Sequence, residues 1–400
     1  MRNTFLDKKD TKNSILKKRI LSRCIEEGEF SIAALSKELV TSVPTVTKLI
    51  QELMDEGFMV DLGKHGTSGG RRPSVFGLNP EAGYFVGVDV RHSHATLAVT
   101  DFKGNLIYFS EDRPFVLKNN EESILTLSTS IRDYTDSVHL DWNKVLGLGI
   151  SVTGRINPET GESYSYPLPS GKTISGILSE ELGTRVIIEN DSRAMAYGEY
   201  LDGIAEKENN MLFINVSWGL GMGIILGGNL FYGKSGFAGE FGHFPYFNND
   251  IICRCGKIGC FETGASGTAL HREVLAGLRS GRASTLTDKY NRGDKITIND
   301  IYKAVREEDV LCIEKVQEVG ELLGRGLAGL INIFNPELVV IGGKMAVTGD
   351  YLMLPIRSAV KKHSQNFVGR DTHIKFTKLG HQAAPIGAAL LSRSRLLRVF

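Results

Sequence analysis

Apolar residues recur at helical spacing from the start of the chain. Ile15, Leu16, Ile20, Leu21 and Ile25 form one stripe, and Gly28 follows as a stop. Ser31 is placed to cap a short second helix carrying Ile32, Leu35 and Leu39. A polar break, Thr41-Ser42-Val43-Pro44, leads into a third helix, where proline is tolerated in the first turn. There Val46, Leu49, Ile50 and Leu53 face a core, while Thr45, Thr47, Lys48 and Gln51 face outward. Past Gly57 the pattern becomes a strand at Phe58-Met59-Val60, a turn-rich stretch from Gly63 to Gly70, and a strand at Ser74-Val75-Phe76-Gly77-Leu78. Three helices followed by a β-hairpin predict a winged helix-turn-helix over residues 1–80.

From Tyr84 the pattern is α/β. A strand over Tyr84–Val90, a second over His94–Thr100, a turn at Asp101-Phe102-Lys103-Gly104-Asn105 and a third strand over Leu106–Ser110 precede a helix near Glu121–Val138 and a strand over Val145–Val152. The arrangement recurs later. Met211–Val216 reads as a strand, Gly219, Gly221 and Gly223 as a turn, Ile224-Ile225-Leu226 as a strand, Gly227-Gly228-Asn229 as a turn and Leu230-Phe231-Tyr232 as a strand. Strand, turn, strand, turn, strand, twice over, predicts a duplicated lobe with a ligand cleft. The predicted domains are 1–80 for the head, 81–195 for a first lobe joined by a C-terminal helix over 384–400, and 196–383 for a second lobe. That last helix carries Ile386, Ala389, Leu390, Leu391, Leu396 and Leu397 and is expected to pack on the first lobe.

Composition narrows the function. The 400 residues, 42% hydrophobic and 23% charged, supply more than one core and exclude predominant disorder. Net charge is +1, but residues 1–80 hold 13 Lys and Arg against 10 Asp and Glu, so the head is mildly basic on a near-neutral body. The third helix is therefore expected to enter a DNA major groove, with Thr45, Thr47, Lys48 and Gln51 toward the bases. Ser68-Gly69-Gly70-Arg71-Arg72-Pro73 is expected to form a wing tip whose Arg71 and Arg72 reach phosphates or the minor groove. The alternative is a small helical bundle that docks protein. No apolar run approaches the ~20 residues of a membrane helix. Met1-Arg2-Asn3-Thr4 is basic with no apolar stretch after it, so the expected compartment is the cytoplasm.

Three of the five cysteines crowd into Cys253, Cys255 and Cys260, which points to metal or redox chemistry rather than a disulfide framework. With His243 they make one His and three Cys in a Gly-rich loop, the donor set of a closed structural zinc site. Three free thiols, or a redox pair with one cysteine left over, are the alternatives. Cys24 and Cys312 lie in apolar helical contexts and are expected in cores.

The stretch from Leu220 to Glu262 contains Gly221-Met222-Gly223, Gly236, Gly239-Glu240-Phe241-Gly242-His243 and Cys253-Arg254-Cys255-Gly256-Lys257-Ile258-Gly259-Cys260-Phe261-Glu262. These spaced residues resemble the ROK family of repressors, open reading frames and sugar kinases, and the resemblance covers nearly the whole chain, head included. It implies a duplicated actin-like, hexokinase-like (ribonuclease H-like) body, and a structural zinc at His243, Cys253, Cys255 and Cys260. It also implies sugar contacts from Asn190, Asp191, Glu240, His243 and Glu262, with Asp191 at the position of the kinases' general base. Gly154 would let backbone approach the sugar, and Asp191 has the alternative role of a helix N-cap.

Two turns depart from the kinase pattern. Family kinases carry Asp-x-Gly-Gly-Thr after the first strand, where backbone amides approach phosphates; here the residues are Asp89-Val90-Arg91-His92-Ser93. The second turn reads Ser217-Trp218-Gly219-Leu220-Gly221-Met222-Gly223, with Trp218 and Met222 adding volume. Gly342-Gly343 remains, although a glycine pair there also suits a plain strand-to-helix turn. The expectation is a non-catalytic sugar-responsive repressor of carbohydrate-utilisation genes, acting on operator DNA as a homodimer or homotetramer with a sugar or sugar-phosphate effector. The alternatives are an ATP-dependent sugar kinase with an appended DNA-binding head, and a sugar-binding scaffold whose head docks protein.

Overall fold

A computed structural model of the chain describes residues 5–6, 11–64 and 74–397. The chain divides into two compact units, one built from the residues up to Ala194 and from Ala384 onward, the other running from Met195 to Ala383. Among the described residues no helix is long and apolar enough to cross a membrane.

The first unit opens with α1 (Lys12–Glu27), β1 (Phe30–Ser31), α2 (Ile32–Glu38), α3 (Val43–Asp55), β2 (Met59–Lys64) and β3 (Ser74–Leu78). Local chemistry sets these boundaries. The hydroxyls of Thr11, Ser31 and Ser42 each accept a backbone N–H of the first turn of the helix that follows, and Pro44 sits in the first turn of α3. The hairpin pairs β2 with β3, and β1 adds a third antiparallel strand that the apolar pattern did not announce. The phase of α1 also differs from the expected stripe. Ile15 is exposed while Lys17 is buried, because its ammonium reaches Glu52 on α3 at 2.9 Å and Glu56, the residue that caps α3, at 2.7 Å. An ion triad satisfies the buried cation, so a lysine occupies a position the periodicity would give to an apolar residue. Arg71, Arg72 and the rest of the expected wing tip lie outside the described residues.

The same unit continues with β4 (Tyr84–Val90), β5 (His94–Asp101), β6 (Leu106–Phe109), β7 (Arg113–Pro114), α4 (Glu121–Ser137), β8 (Val145–Val152), β9 (Ile156–Asn157), β10 (Glu162–Ser163), α5 (Ile174–Leu182), β11 (Val186–Asn190) and the first turn of α6 (Asp191–Leu201), whose remainder belongs to the second unit. Its main sheet has the order β11-β8-β4-β5-β6, with β11, β8 and β4 parallel and β5 and β6 antiparallel. The C-terminal helix, Ala383–Leu397, lies on this sheet at backbone contact. A Cβ on Gly87 would stand 1.8 Å from the Pro385 carbonyl oxygen, and one on Gly149 would stand 2.0 Å from that of Ala388. Those two glycines admit the helix.

The second unit contains β12 (Met211–Val216), β13 (Leu220–Leu226), β14 (Asn229–Leu230), α7 (Gly267–Arg279), α8 (Thr287–Asn291), α9 (Ile298–Arg306), α10 (Val310–Phe334), β15 (Leu338–Gly342), α11 (Asp350–His363), α12 (Val368–Asp371) and β16 (His373–Phe376). Its sheet runs β16-β15-β12-β13-β14 with the same sequence of parallel and antiparallel neighbours as the first. The duplication expected from the pattern is thus a duplication of topology. Its local reading needs correction, however. Gly221 and Gly223 lie inside β13, not in a turn; of the expected last strand only Leu230 is paired, and Asn229 of the expected turn joins it in β14. Met222 points into the core beside Ile224, Phe241 and Phe261, so its volume fills that core and not a phosphate turn.

Candidate functional site

Because β4, β8 and β11 are parallel, their carboxyl ends share one sheet edge, where ligands of open α/β sheets bind. Asp89, near the end of β4, is 1% exposed. Its Oδ1 accepts from Ser151 Oγ at 2.9 Å, and Oδ2 from Arg91 Nε at 2.5 Å. Asp89 is therefore a structural acceptor that folds the Arg91 guanidinium back onto the turn after β4. Ser151, the cross-strand partner of Asp89, had no signal in the sequence beyond its place on the strand.

Asn190 and Asp191 close β11 and open α6. Asn190 Oδ1 accepts from the backbone N–H of Ser192 and Arg193 at 3.0 and 3.2 Å, and its amide donates to the Gly154 carbonyl at 2.9 Å. Asn190 is thus the stronger helix cap, and Asp191 adds to it: Oδ1 accepts from Ser192 N–H at 2.8 Å, and Oδ2 from Thr153 Oγ1 at 3.1 Å. Thr153 is a contact the sequence reading missed. Burial pushes the Asp191 carboxyl above the usual carboxylate range, and the nearby charge of Asp89 pushes the same way. Gly154 has φ of 108°, and a Cβ there would stand 2.1 Å from Ser165 Oγ, so both conformation and packing require glycine.

The turn is braced from below. Glu189 is buried, and its Oε1 accepts from Arg193 Nε at 2.7 Å and from the Asn190 N–H at 2.8 Å. Its Oε2 accepts from Arg395 Nη2 at 3.0 Å. Arg395 lies on the C-terminal helix, more than two hundred residues away in sequence, and no local signal could pair it with Glu189.

In the second unit, His243 ends a short 3-10 turn over Phe241–His243, and the chain then makes a compact loop back through Cys253, Cys255 and Cys260. Cys253 N–H donates to the Lys257 carbonyl at 2.8 Å and Gly256 N–H to the Cys253 carbonyl at 2.9 Å, a knuckle that turns two thiols to one side. Gly256 and Gly259 sit at φ of 84° and 75°, which glycine adopts freely. The four donor atoms lie within 4.8 Å of one another. Cys255 Sγ stands 3.6 Å from Cys260 Sγ, and Cys253 Sγ 3.5 Å from His243 Nδ1. Tetrahedral zinc with bonds of about 2.3 Å to sulfur needs donor separations of about 3.8 Å, so the cluster fits the ion. Burial pushes the Cys253 thiol up to about 12; a bound dication supplies the opposing charge that keeps thiolates deprotonated. With all four positions taken by protein atoms, an ion held there would supply cross-linking and no open coordination site.

Glu240, Glu262 and His243 surround this loop. His243 Nε2, the nitrogen turned away from the thiols, stands 3.6 Å from Glu240 Oε2. Glu262 Oε2 accepts from Leu220 N–H at 2.8 Å, and Oε1 receives the Cys253 thiol at 3.6 Å. Glu240 is exposed and Glu262 half-buried. Trp218 is exposed at the turn before β13, with its ring 5.6 Å from that of His271. Gly343 has φ of 85°, and a Cβ there would stand 2.5 Å from the Val216 carbonyl oxygen, so the Gly342-Gly343 pair has a packing reason independent of any phosphate.

On the head, Thr47, Lys48 and Gln51 are exposed and Thr45 half-buried, while Val46, Leu49, Ile50 and Leu53 are buried beneath them. Gln51 Nε2 donates to Asp55 at 2.9 Å and Thr47 Oγ1 to the Val43 carbonyl at 2.8 Å, which holds both on the outward face.

Residues 85–395 match the ROK family. A xylose repressor from Caldicellulosiruptor bescii is 30% identical over 383 residues, covering 94% of this chain and 95% of its own length. Among solved structures, a ROK family transcriptional regulator described as a homologue of the Escherichia coli MLC protein superposes with a TM-score of 0.81 at 26% identity, over 96% of each chain. A ROK glucokinase from Streptomyces griseus, solved with glucose and AMPPNP, superposes with a TM-score of 0.67 at 25% identity, over 78% of this chain and 100% of its own. The family match spans both sheets and the loop that gathers His243 with the three cysteines, and the chain belongs to the ROK family.

Proposed function

We propose that the protein is a sugar-responsive transcriptional repressor whose N-terminal 80 residues form a winged helix-turn-helix and whose body binds a sugar or sugar phosphate without phosphorylating it. One observation carries the reading: similarity to a repressor runs through the head over 94% of the chain, whereas the superposed glucokinase covers 78%. The Asp89–Arg91 pair favours the same side, since a guanidinium folded into the first turn replaces the open glycines that phosphates need. A DNA-bound role gives the outward face of α3 its purpose: Thr45, Thr47, Lys48 and Gln51 on a rigid helix reach base edges, and Arg71 and Arg72 position the head on the backbone.

In the body, Asn190 and Asp191 offer an amide and a carboxylate held by Gly154 and Thr153, while Glu240 and Glu262 offer acceptors and His243 an Nε2–H donor beside the cysteine loop. Carboxylates suit a sugar because each hydroxyl donates to an oxygen. Zinc bound by His243, Cys253, Cys255 and Cys260 then acts as support behind these groups. Repressors reading two-fold sites act as dimers or larger assemblies, so a homodimer or homotetramer on operator DNA is the expected form.

The test is fluorescence anisotropy with the DNA upstream of the chain's own gene, with and without xylose, glucose, N-acetylglucosamine and their phosphates. The expected result is salt-dependent binding to that DNA and a change of affinity with one of the sugars. Equal affinity for this and random DNA, indifferent to every sugar, would overturn the reading.

A further inference from the structure

We infer that the C-terminal helix couples the sugar-binding turn to the DNA-binding head, with Arg395 and Arg393 as positioning residues at its two attachments. The inference rests on the proposed function for its biological meaning, and on the geometry of the first unit for its mechanics.

One attachment is at the turn. Arg395 binds Glu189 Oε2 at 3.0 Å and the Pro158 carbonyl at 2.8 Å. Glu189 in turn holds the Asn190 N–H and the Arg193 side chain, and Arg193 donates to the Ile156 carbonyl. Any shift of Asn190 and Asp191 toward a ligand therefore acts on a buried carboxylate whose other oxygen is held by the helix.

The second attachment is two residues earlier, on a different face of the same helix. Arg393 is buried and donates to the carbonyls of Phe102 and Lys103 in the turn after β5. That turn is built to receive it. Asp101 Oδ1 accepts from the N–H groups of Gly104 and Asn105 at 2.8 and 2.9 Å, and a Cβ on Gly104 would stand 2.4 Å from Arg393 Nη1. The Phe102 ring lies 5.4 Å from that of Phe58 and 6.2 Å from that of Phe85. Phe58 lies just past the turn that ends α3, its N–H donates to the Leu53 carbonyl at 2.8 Å, and its ring also meets Phe5 at 5.4 Å. Phe58, Phe102, Phe85, Leu396 and Leu397 belong to one continuous core, shared by the head, the sheet and the helix.

The part of the helix that precedes these attachments rests on glycines. Gly87 and Gly149 leave its backbone directly on the strands, with no side chain from those positions keyed into it. Two arginine clamps and an apolar bed make a rod held at defined points, so displacement at Glu189 reaches Phe102 and the base of α3. This is a contiguous packed path from the turn to the head.

The test uses the full-length protein and hydrogen exchange, first with no ligand. Arg395→Lys keeps the charge but cannot hold Glu189 and the Pro158 carbonyl in one planar fork. It is expected to raise amide exchange at 186–193 and also at 56–62, at least ~3-fold, with the second unit unchanged. Adding Arg393→Lys should abolish the further response of 56–62 to the Arg395 substitution. Phe58→Leu, a milder change in the head, should reciprocally alter exchange at 186–193. Exchange changes confined to the mutated segment in both Arg395→Lys and Phe58→Leu would overturn the inference. A second arm measures anisotropy on the upstream DNA with xylose, glucose or N-acetylglucosamine. A wild-type sugar effect of at least ~5-fold on DNA affinity should fall to less than about half in Arg393→Lys while sugar affinity stays within about two-fold. An undiminished effect would overturn the inference. Coupled exchange without any sugar effect on DNA would instead leave the inference standing and remove the proposed function.

Discussion

At the scale of single residues, Val40 and Asp191 are each held in a costly state. Val40 joins α2 to α3 with φ of 49° and is 91% exposed, so a β-branched side chain occupies left-handed backbone with nothing packed on it. That conformation costs about 1–2 kcal/mol, which glycine avoids. Val40→Gly is expected to stabilise the head by ~1 kcal/mol, read as a rise in its thermal midpoint; a fall would show that the side chain contributes more than its backbone costs. Asp191 carries the opposite kind of cost, since burial and Asp89 raise its pKa. A carboxyl with a raised folded pKa favours folding as pH drops through that pKa toward the unfolded value, so the ionised Asp191 costs stability at neutral pH. In the proposed sugar site its chemistry runs the other way, because a hydroxyl donates best to the ionised form. Sugar affinity measured by calorimetry should therefore fall as pH is lowered, beginning above the pH where an ordinary carboxylate titrates. Asp191→Asn should bind sugar at least ~10-fold more weakly and lose that pH dependence; a wild-type affinity flat in pH would refute the assignment.

At the scale of elements, the metal loop and the C-terminal helix depend on features of different reach. The loop owes its shape to a few bonds between neighbours, Cys253 to Lys257 and Gly256 to Cys253, which bring its three thiols beside His243 in a set that could hold a metal ion. Metal bound only by the folded chain contributes folding free energy. Cys255→Ser should lower zinc content below one ion per chain and cost ~3 kcal/mol, or roughly 6–12 °C in a unit of this size. Wild-type protein prepared without chelator and containing no zinc would end this account. The helix depends instead on a missing atom. Gly149→Ala places a methyl 2.0 Å from the Ala388 carbonyl oxygen, so helix or strand must shift. Overpacking of this kind costs about 1–3 kcal/mol, and the substitution should expose the C-terminal helix to limited proteolysis before the rest of the unit unfolds.

At the scale of the whole molecule, the superposed glucokinase matches 78% of this chain over its full length, while the xylose repressor matches 94%. With a sugar that binds, ATP turnover should stay at background; turnover near ~1 s⁻¹, within the usual enzyme range, would reverse the reading of the first phosphate turn. The sequence by itself determined what depends on near neighbours. Helix starts followed from Ser31 and Ser42, the buried face of α3 from Val46, Leu49, Ile50 and Leu53, and the metal loop from closely spaced cysteines with one histidine. These are readable because capping, periodicity and ligand spacing act over a few residues. Only the tertiary structure decided that Lys17 is buried against α3, that Met222 faces the core, that Gly221 and Gly223 lie in a strand, and that Asp89 binds Arg91 and Ser151. It alone joined Arg395 to Glu189 and Phe58 to Phe102. Charge pairs and ring contacts between distant segments leave no period in the chain, since each partner is chosen by where the fold places it and not by the residues beside it.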